Sequence, residues 1–147
     1  MEIPKELRAD GYESFYQDFD SPLLRQIRRE AYGEDIGQNS WADADEVRAD
    51  IRRVRLSPSS RFVDLGCGPC GILTLVLTTV RCRGTGVEFS RSALQAGRVR
   101  AASLGVDTLL TVQEADLNEP LPFAPGSFDA AMSVDVVLHL RDRLKFF

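Results

Sequence analysis

Apolar residues recur along the chain in two rhythms, and the change between them falls near residue 60. In the first part the spacing is helical: Tyr12, Phe15, Tyr16 and Phe19 stand three or four apart, as do Val47, Ile51 and Val54. Ser21 and Pro22 sit where an N-cap and a first-turn proline belong, and Gly33 where a helix stops, which predicts a helix over Pro22 to Tyr32. A further helix is expected over Ala44 to Leu56, with Gly33 to Trp41 as the intervening loop. From Arg61 onward short β-type runs alternate with helical ones. Strands are expected at Arg61–Leu65, Gly84–Glu88, Thr108–Glu114 and Phe128–Val134, and helices at Pro69–Val80 and Ser90–Leu104. Ser90 suits an N-cap and Gly105 a stop. Such alternation builds a parallel sheet with helices on both faces, so the expected fold is α/β over residues 61–147 behind a helical segment, residues 1–60. Beyond Asp135 a last helix is expected, because Val136, Val137, Leu140, Leu144 and Phe147 fall largely on one helical face. Nothing ends it, and the chain reads as cut inside that helix.

Composition narrows the class without naming a chemistry. The chain has 147 residues, 44% hydrophobic and 27% charged, which suits one globular domain. A formal charge of −4 gives no drive toward nucleic acid, and the local arginines at 52, 53, 55, 98 and 100 read as solvated helix faces. The longest apolar stretch, Ile72 to Val80, is far short of the roughly 20 residues a membrane helix needs. No membrane and no nucleic-acid partner is therefore expected, and the location expected is cytoplasmic. Three cysteines, an odd number, argue against a disulfide framework.

The candidate chemistry lies at the end of the first strand. Phe62 to Gly71 reads as an apolar run, an acid, and then glycines at Gly66, Gly68 and Gly71 leading directly into Ile72 to Val80. A strand that ends in glycines and opens into a helix lets a nucleotide-like ligand approach the backbone. Glu88 closes the next strand, about 20 residues further on, where a carboxylate can accept hydrogen bonds from ribose hydroxyls. These features indicate an adenosine-bearing ligand, a nicotinamide dinucleotide among them. Asp64 bears on the choice: a carboxylate repels a pyrophosphate and attracts an ammonium or sulfonium charge.

At Val63-Asp64-Leu65-Gly66-Cys67-Gly68-Pro69-Cys70-Gly71 the sequence resembles the class I S-adenosylmethionine-dependent methyltransferases, whose first motif is an acid followed by Gly-x-Gly. Glu88-Phe89-Ser90 matches the second, ribose-binding motif. Glu114-Ala115-Asp116-Leu117, followed by Leu121-Pro122-Phe123 and Gly126-Ser127-Phe128-Asp129, is similar to the segment from the adenine-binding acid to the fourth strand. The resemblance spans roughly Arg61 to Leu140 and is nearest to the small-molecule, ubiquinone-biosynthesis-like branch. It implies a Rossmann-like sheet holding S-adenosylmethionine at Asp64, Leu65, Gly66, Cys67, Gly68, Glu88 and Phe89. Asp116 would bond the adenine amino group between Ala115 and Leu117, although alone it also reads as a turn-forming aspartate before Asn118. The product would be S-adenosylhomocysteine, formed by in-line attack of an oxygen, nitrogen or carbon nucleophile of a small-molecule acceptor. The family sheet is ordered 3-2-1-4-5-7-6, so strands one to four are expected here, and a homo-oligomer or partner chain would cover the edge of strand four.

Ser133 and Asp135, at the carboxyl end of strand four, should face the same pocket. His139 is the sole histidine; it stands where the family often has one, facing substrate or serving as a base, and otherwise reads as a structural residue. Cys67-x-x-Cys70 has no second ligand pair, so no metal is expected. The loop holding the one tryptophan, Trp41, is expected to close over the pocket as part of an amino-terminal lid, with Gln38, Ser40 or Trp41 touching cofactor or substrate. Two other readings stay open: a truncated, non-catalytic binding or regulatory module, and an NAD(P)-dependent oxidoreductase.

Overall fold

A computed structural model describes residues 5–147 and gives four parallel strands with helices packed on them. Helices α1 (Lys5–Gln17), α2 (Pro22–Tyr32) and α3 (Ala44–Val54) come first. Then β1 (Arg61–Leu65), α4 (Gly71–Val80), β2 (Arg83–Glu88), α5 (Arg91–Ser103), β3 (Leu110–Glu114) and β4 (Ala130–Met132) alternate. The order across the sheet is β3-β2-β1-β4, so the chain reverses direction of travel at β1.

The helix ends follow the local chemistry. Ser21 Oγ accepts from Leu24 N–H with Pro22 in the first turn, and Gly33 closes α2 at φ +76°. Asp43 and Glu46 form a reciprocal capping box on α3. Ser90 Oγ accepts from Ala93 N–H at the start of α5. Leu73, Val76 and Leu77 of α4 are buried against Phe62, Val112 and Met132 of the sheet and Val47 and Ile51 of α3.

Three expectations need correction. Helices α4 and α5 lie on one face of the sheet, where Gly84 and Gly86 leave room for Leu73 and Leu77; the crossing from β3 to β4 contains no helix, since Pro120, Pro122 and Pro125 punctuate it. The third strand begins at Leu110 because residues 107–109 form a 3₁₀ turn, and the fourth is three residues long. The single helix expected after Asp135 is broken. A 3₁₀ turn (Val137–His139) is followed by extended Leu140, and then by a one-turn helix α6 (Arg143–Phe146) capped by Asp142. Asp135 at φ +56° and the bond from Arg141 N–H to Asn118 Oδ1, 2.8 Å, turn the chain out of helical geometry. Leu140 alone of the expected stripe is buried, while Leu144 and Phe147 are exposed. Among the described residues no helix is long and apolar enough to cross a membrane.

Candidate ligand site at the carboxyl ends of the strands

A cavity of about 680 Å³ opens at the carboxyl ends of β1, β2 and β3, next to the strand-order reversal where open α/β sheets take their ligands. That volume lies within the roughly 300–1,000 Å³ usual for small-molecule sites.

Its floor is made by backbone. Gly66 turns the chain at φ +81°, and a side chain there would collide with Val136. The N–H groups of Gly66 and Cys67 both donate to Val87 O, at 2.8 and 3.0 Å, which stitches the loop to β2. Gly68 N–H donates to Glu88 Oε2 at 3.1 Å, while Glu88 Oε1 accepts from Phe89 and Ser90 N–H at 2.9 and 3.0 Å. Burial nevertheless pushes the Glu88 carboxyl upward against the opposing pull of these three N–H groups. Asp64 is 3% exposed, borders the cavity and has no hydrogen-bond partner among the described residues. Burial, reinforced by Glu88, raises its pKa to about 7. An unpartnered acid beside an occupied one is a site prepared for positive charge.

On the next two strand ends the assignments divide. Ala115, Asp116 and Leu117 border the cavity. Asp116 Oδ1 accepts from Asn118 N–H and Nδ2 at 2.9 and 2.8 Å, so the aspartate forms its local turn while lining the site. Arg141 stands 3.9 Å from its other oxygen. Ser133 Oγ donates to Leu65 O at 2.9 Å; both residues lie outside the cavity lining and join β4 to β1 behind it. Asp135 borders the cavity, and its carboxylate accepts from Trp41 N–H at 2.7 Å.

The roof is built from side chains. Glu13 of α1 accepts from Ser90 Oγ, Ser92 Oγ and Ser92 N–H, which ties α1 to the start of α5. Tyr16 is 6% exposed, and its oxygen accepts from Asn39 Nδ2 at 2.8 Å; burial pushes the phenol well above its usual range. The loop 33–41 rests directly on α4, since a Cβ at Gly71 would strike the Gly37 carbonyl. Buried Arg28 holds that loop through Asp35 at 2.7 Å and Phe19 O at 2.8 Å. Gln38 borders the cavity, but its amide turns back, accepting from Ile36 N–H and donating to Glu34 O. Of the three loop residues expected to touch cofactor or substrate, Gln38 and Ser40 border the cavity, while Trp41 is 86% exposed and outside the lining, its backbone N–H held by Asp135. His139 is at the rim, with Nε2 3.5 Å from Tyr12 Oη and the rings edge to face.

The sequence pattern missed Tyr12, Tyr16 and Asn39 as cavity residues. A buried phenol needs a polar partner, so two tyrosines four apart on an apolar helix face were the available signal. Cys67 borders the cavity with Cys70 behind it, their sulfurs 3.4 Å apart and both thiols free. Among the described residues no group of three or more His, Cys, Asp or Glu side chains is placed to hold a metal.

A parallel sheet ordered β3-β2-β1-β4, with a glycine turn, two buried acids and a cavity beyond its strand ends, is a Rossmann-like α/β architecture. Residues 63–147, more than half the chain, match the family described as methyltransferase domain, and the chain belongs to that family. An O-methyltransferase of Pyrenophora dematioidea is 31% identical over 93 residues, covering 63% of this chain and 34% of that protein. A glycine/sarcosine/dimethylglycine N-methyltransferase of Actinopolyspora halophila is 32% identical over 108 residues, covering 72% and 19%. Among solved structures, a SAM-dependent methyltransferase from Geobacter sulfurreducens in complex with S-adenosyl-L-homocysteine superposes with TM-score 0.62 at 22% identity, covering 82% of this chain and 46% of that one. The chain thus spans less than half the length of these relatives.

Proposed function

We propose that the chain binds S-adenosylmethionine in this cavity and takes part in transferring its methyl group to a small-molecule acceptor. One observation carries the reading: Asp64, Glu88 and Asp116, on three different strand ends, all border the same 680 Å³ space. The donor set fits the group. Among the described residues Asp64 has no hydrogen-bond partner, which suits a cationic ligand, and the Ser40 hydroxyl is buried and unbonded at the wall, while the glycine loop offers bare backbone. The cofactor would supply an electrophilic methyl group on sulfur. Asp64 then neutralises positive charge, Glu88 orients the loop and presents carboxylate to ribose hydroxyls, and Asp116 with Ala115 and Leu117 borders the adenine end. Gln38 and its loop, with Tyr12 and Tyr16, form the lid that keeps water from the reacting atoms. His139, paired with Tyr12 at the rim, accepts a proton where the acceptor must lose one; otherwise alignment suffices. Three free thiols suit a reducing, cytoplasmic setting.

Isothermal calorimetry with S-adenosylhomocysteine and NAD, followed by a transfer assay with radiolabelled methyl donor, tests this. One-to-one binding of the first and none of the second is expected. Binding of NAD alone would overturn the reading, and binding without turnover would make the chain a binding module.

A further inference from the structure

The glycine loop carries a feature that cofactor binding leaves unexplained. Cys67 and Cys70 point at each other with sulfurs 3.4 Å apart, and the protein makes room for them. A Cβ at Gly86 would lie 2.7 Å from Cys67 Sγ, and one at Gly97 would lie 2.7 Å from Cys70 Sγ. Neither glycine has positive φ, so what they supply is space. Cys70 itself sits at φ +57°, a left-handed position where a side chain is disfavoured, yet it carries one.

We propose that Cys67 and Cys70 are a redox modification site, which hydrogen peroxide converts to an intrachain disulfide that reshapes the cavity floor. The backbone already permits the bond. Cys70 N–H donates to Cys67 O at 2.9 Å, closing a four-residue turn. The ends of such a turn lie within about 7 Å, a range that includes the roughly 4.4–6.8 Å Cα separation of disulfides. Access sets the order of events, because Cys67 borders the cavity and Cys70 is fully buried behind it. The hydrogen bond with Cys70, burial and the nearby Asp64 and Glu88 carboxyls push the Cys67 thiol up, so oxidation is slow; the thiolate that does form attacks one peroxide oxygen, the O–O bond breaks, and hydroxide leaves to give a sulfenic acid. The Cys70 sulfur then attacks the Cys67 sulfur; the S–S bond forms as the S–O bond breaks, and water leaves with the Cys70 proton. In sum two thiols lose two electrons and the peroxide oxygens are reduced to water. Closing 3.4 Å to about 2.05 Å draws Cys67 inward, and the adjoining Gly68 N–H is the one bound to Glu88. Ligand affinity and oxidation are therefore coupled in both directions.

The test exposes the full chain to hydrogen peroxide, blocks remaining thiols and digests with trypsin. Cleavage after Arg61 and Arg81 leaves both cysteines on peptide 62–81 and Cys82 on another. Loss of two hydrogens from that peptide is expected, reversed by dithiothreitol, retained in Cys82→Ser and absent in Cys67→Ser and Cys70→Ser. The oxidised protein should bind S-adenosylhomocysteine at least about fivefold more weakly, and the ligand should slow oxidation. The choice of that ligand rests on the proposed function; if reduced protein does not bind it, that reading fails while the peptide mass still decides this one. Sulfinic acid on Cys67 without a crosslink, a bond to Cys82 or to a second chain, or a crosslink that leaves affinity unchanged would overturn the proposal.

Discussion

The floor and the roof of the cavity are held by different means. The floor, Gly66 to Gly71 with Glu88, is fixed by backbone donors and by Gly66 and Gly71, where a side chain would collide with Val136 and with the Gly37 carbonyl. The roof, α1 and the loop 33–41, is fixed by side chains: Glu13 to Ser90 and Ser92 and Asn39 to Tyr16 across long sequence separations, and Arg28 to Asp35 seven residues on. Backbone anchorage ties the floor to β2. Side-chain anchorage makes the roof separable, since each tie can be released without disturbing the sheet.

That contrast can be broken most forcefully at Arg28. Its guanidinium and Asp35 are 7% and 8% exposed, so Arg28→Ala strands a buried carboxylate and should cost about 3 kcal/mol in urea denaturation. A loss near zero would mean that the roof does not depend on this pair. On the floor, Glu88→Ala removes the acceptor of three N–H bonds and should weaken S-adenosylhomocysteine about a hundredfold by calorimetry, roughly 2.7 kcal/mol.

Asp64 gives the floor a pH signature. Its carboxyl moves from 3.8 to about 7 on folding, through burial first and Glu88 second. The folded state therefore holds more proton between those values, so this contribution to stability is complete below the lower one and is lost as pH rises through about 7. Stability of the ligand-free protein should fall by up to about 4 kcal/mol across that window relative to Asp64→Asn, about 1.4 kcal/mol per pH unit, and a bound cation should flatten the difference. Identical pH profiles for the two proteins would contradict it. Smallest is the tie at the roof: Glu13→Gln should cost about 1 kcal/mol and speed ligand release in stopped flow, leaving the sheet intact by circular dichroism.

The same division decided what the sequence could show. The floor was legible because local rules write it: a strand followed by glycines, Ser90 as a cap at the start of α5, acids at successive strand ends. The roof was not, because apart from the Arg28–Asp35 pair its ties join residues 23 to 94 positions apart, and no local pattern reports that Asn39 meets Tyr16 or that Trp41 N–H meets Asp135. For the same reason no local pattern shows that the Trp41 ring stays outside the cavity while Gln38 and Ser40 line it. The last segment was misread because an apolar period alone cannot register Asn118 bonding Arg141 N–H and Asp135 turning left-handed.

Amide chemical shifts followed while S-adenosylhomocysteine is titrated into the labelled protein address the central claim residue by residue. Saturable shifts are expected at Gly66 to Gly68, at Phe89 and at Ala115 to Leu117, with α6 and the solvent side of α2 unmoved. Shifts absent from all three strand ends, or centred elsewhere on the molecule, would contradict it.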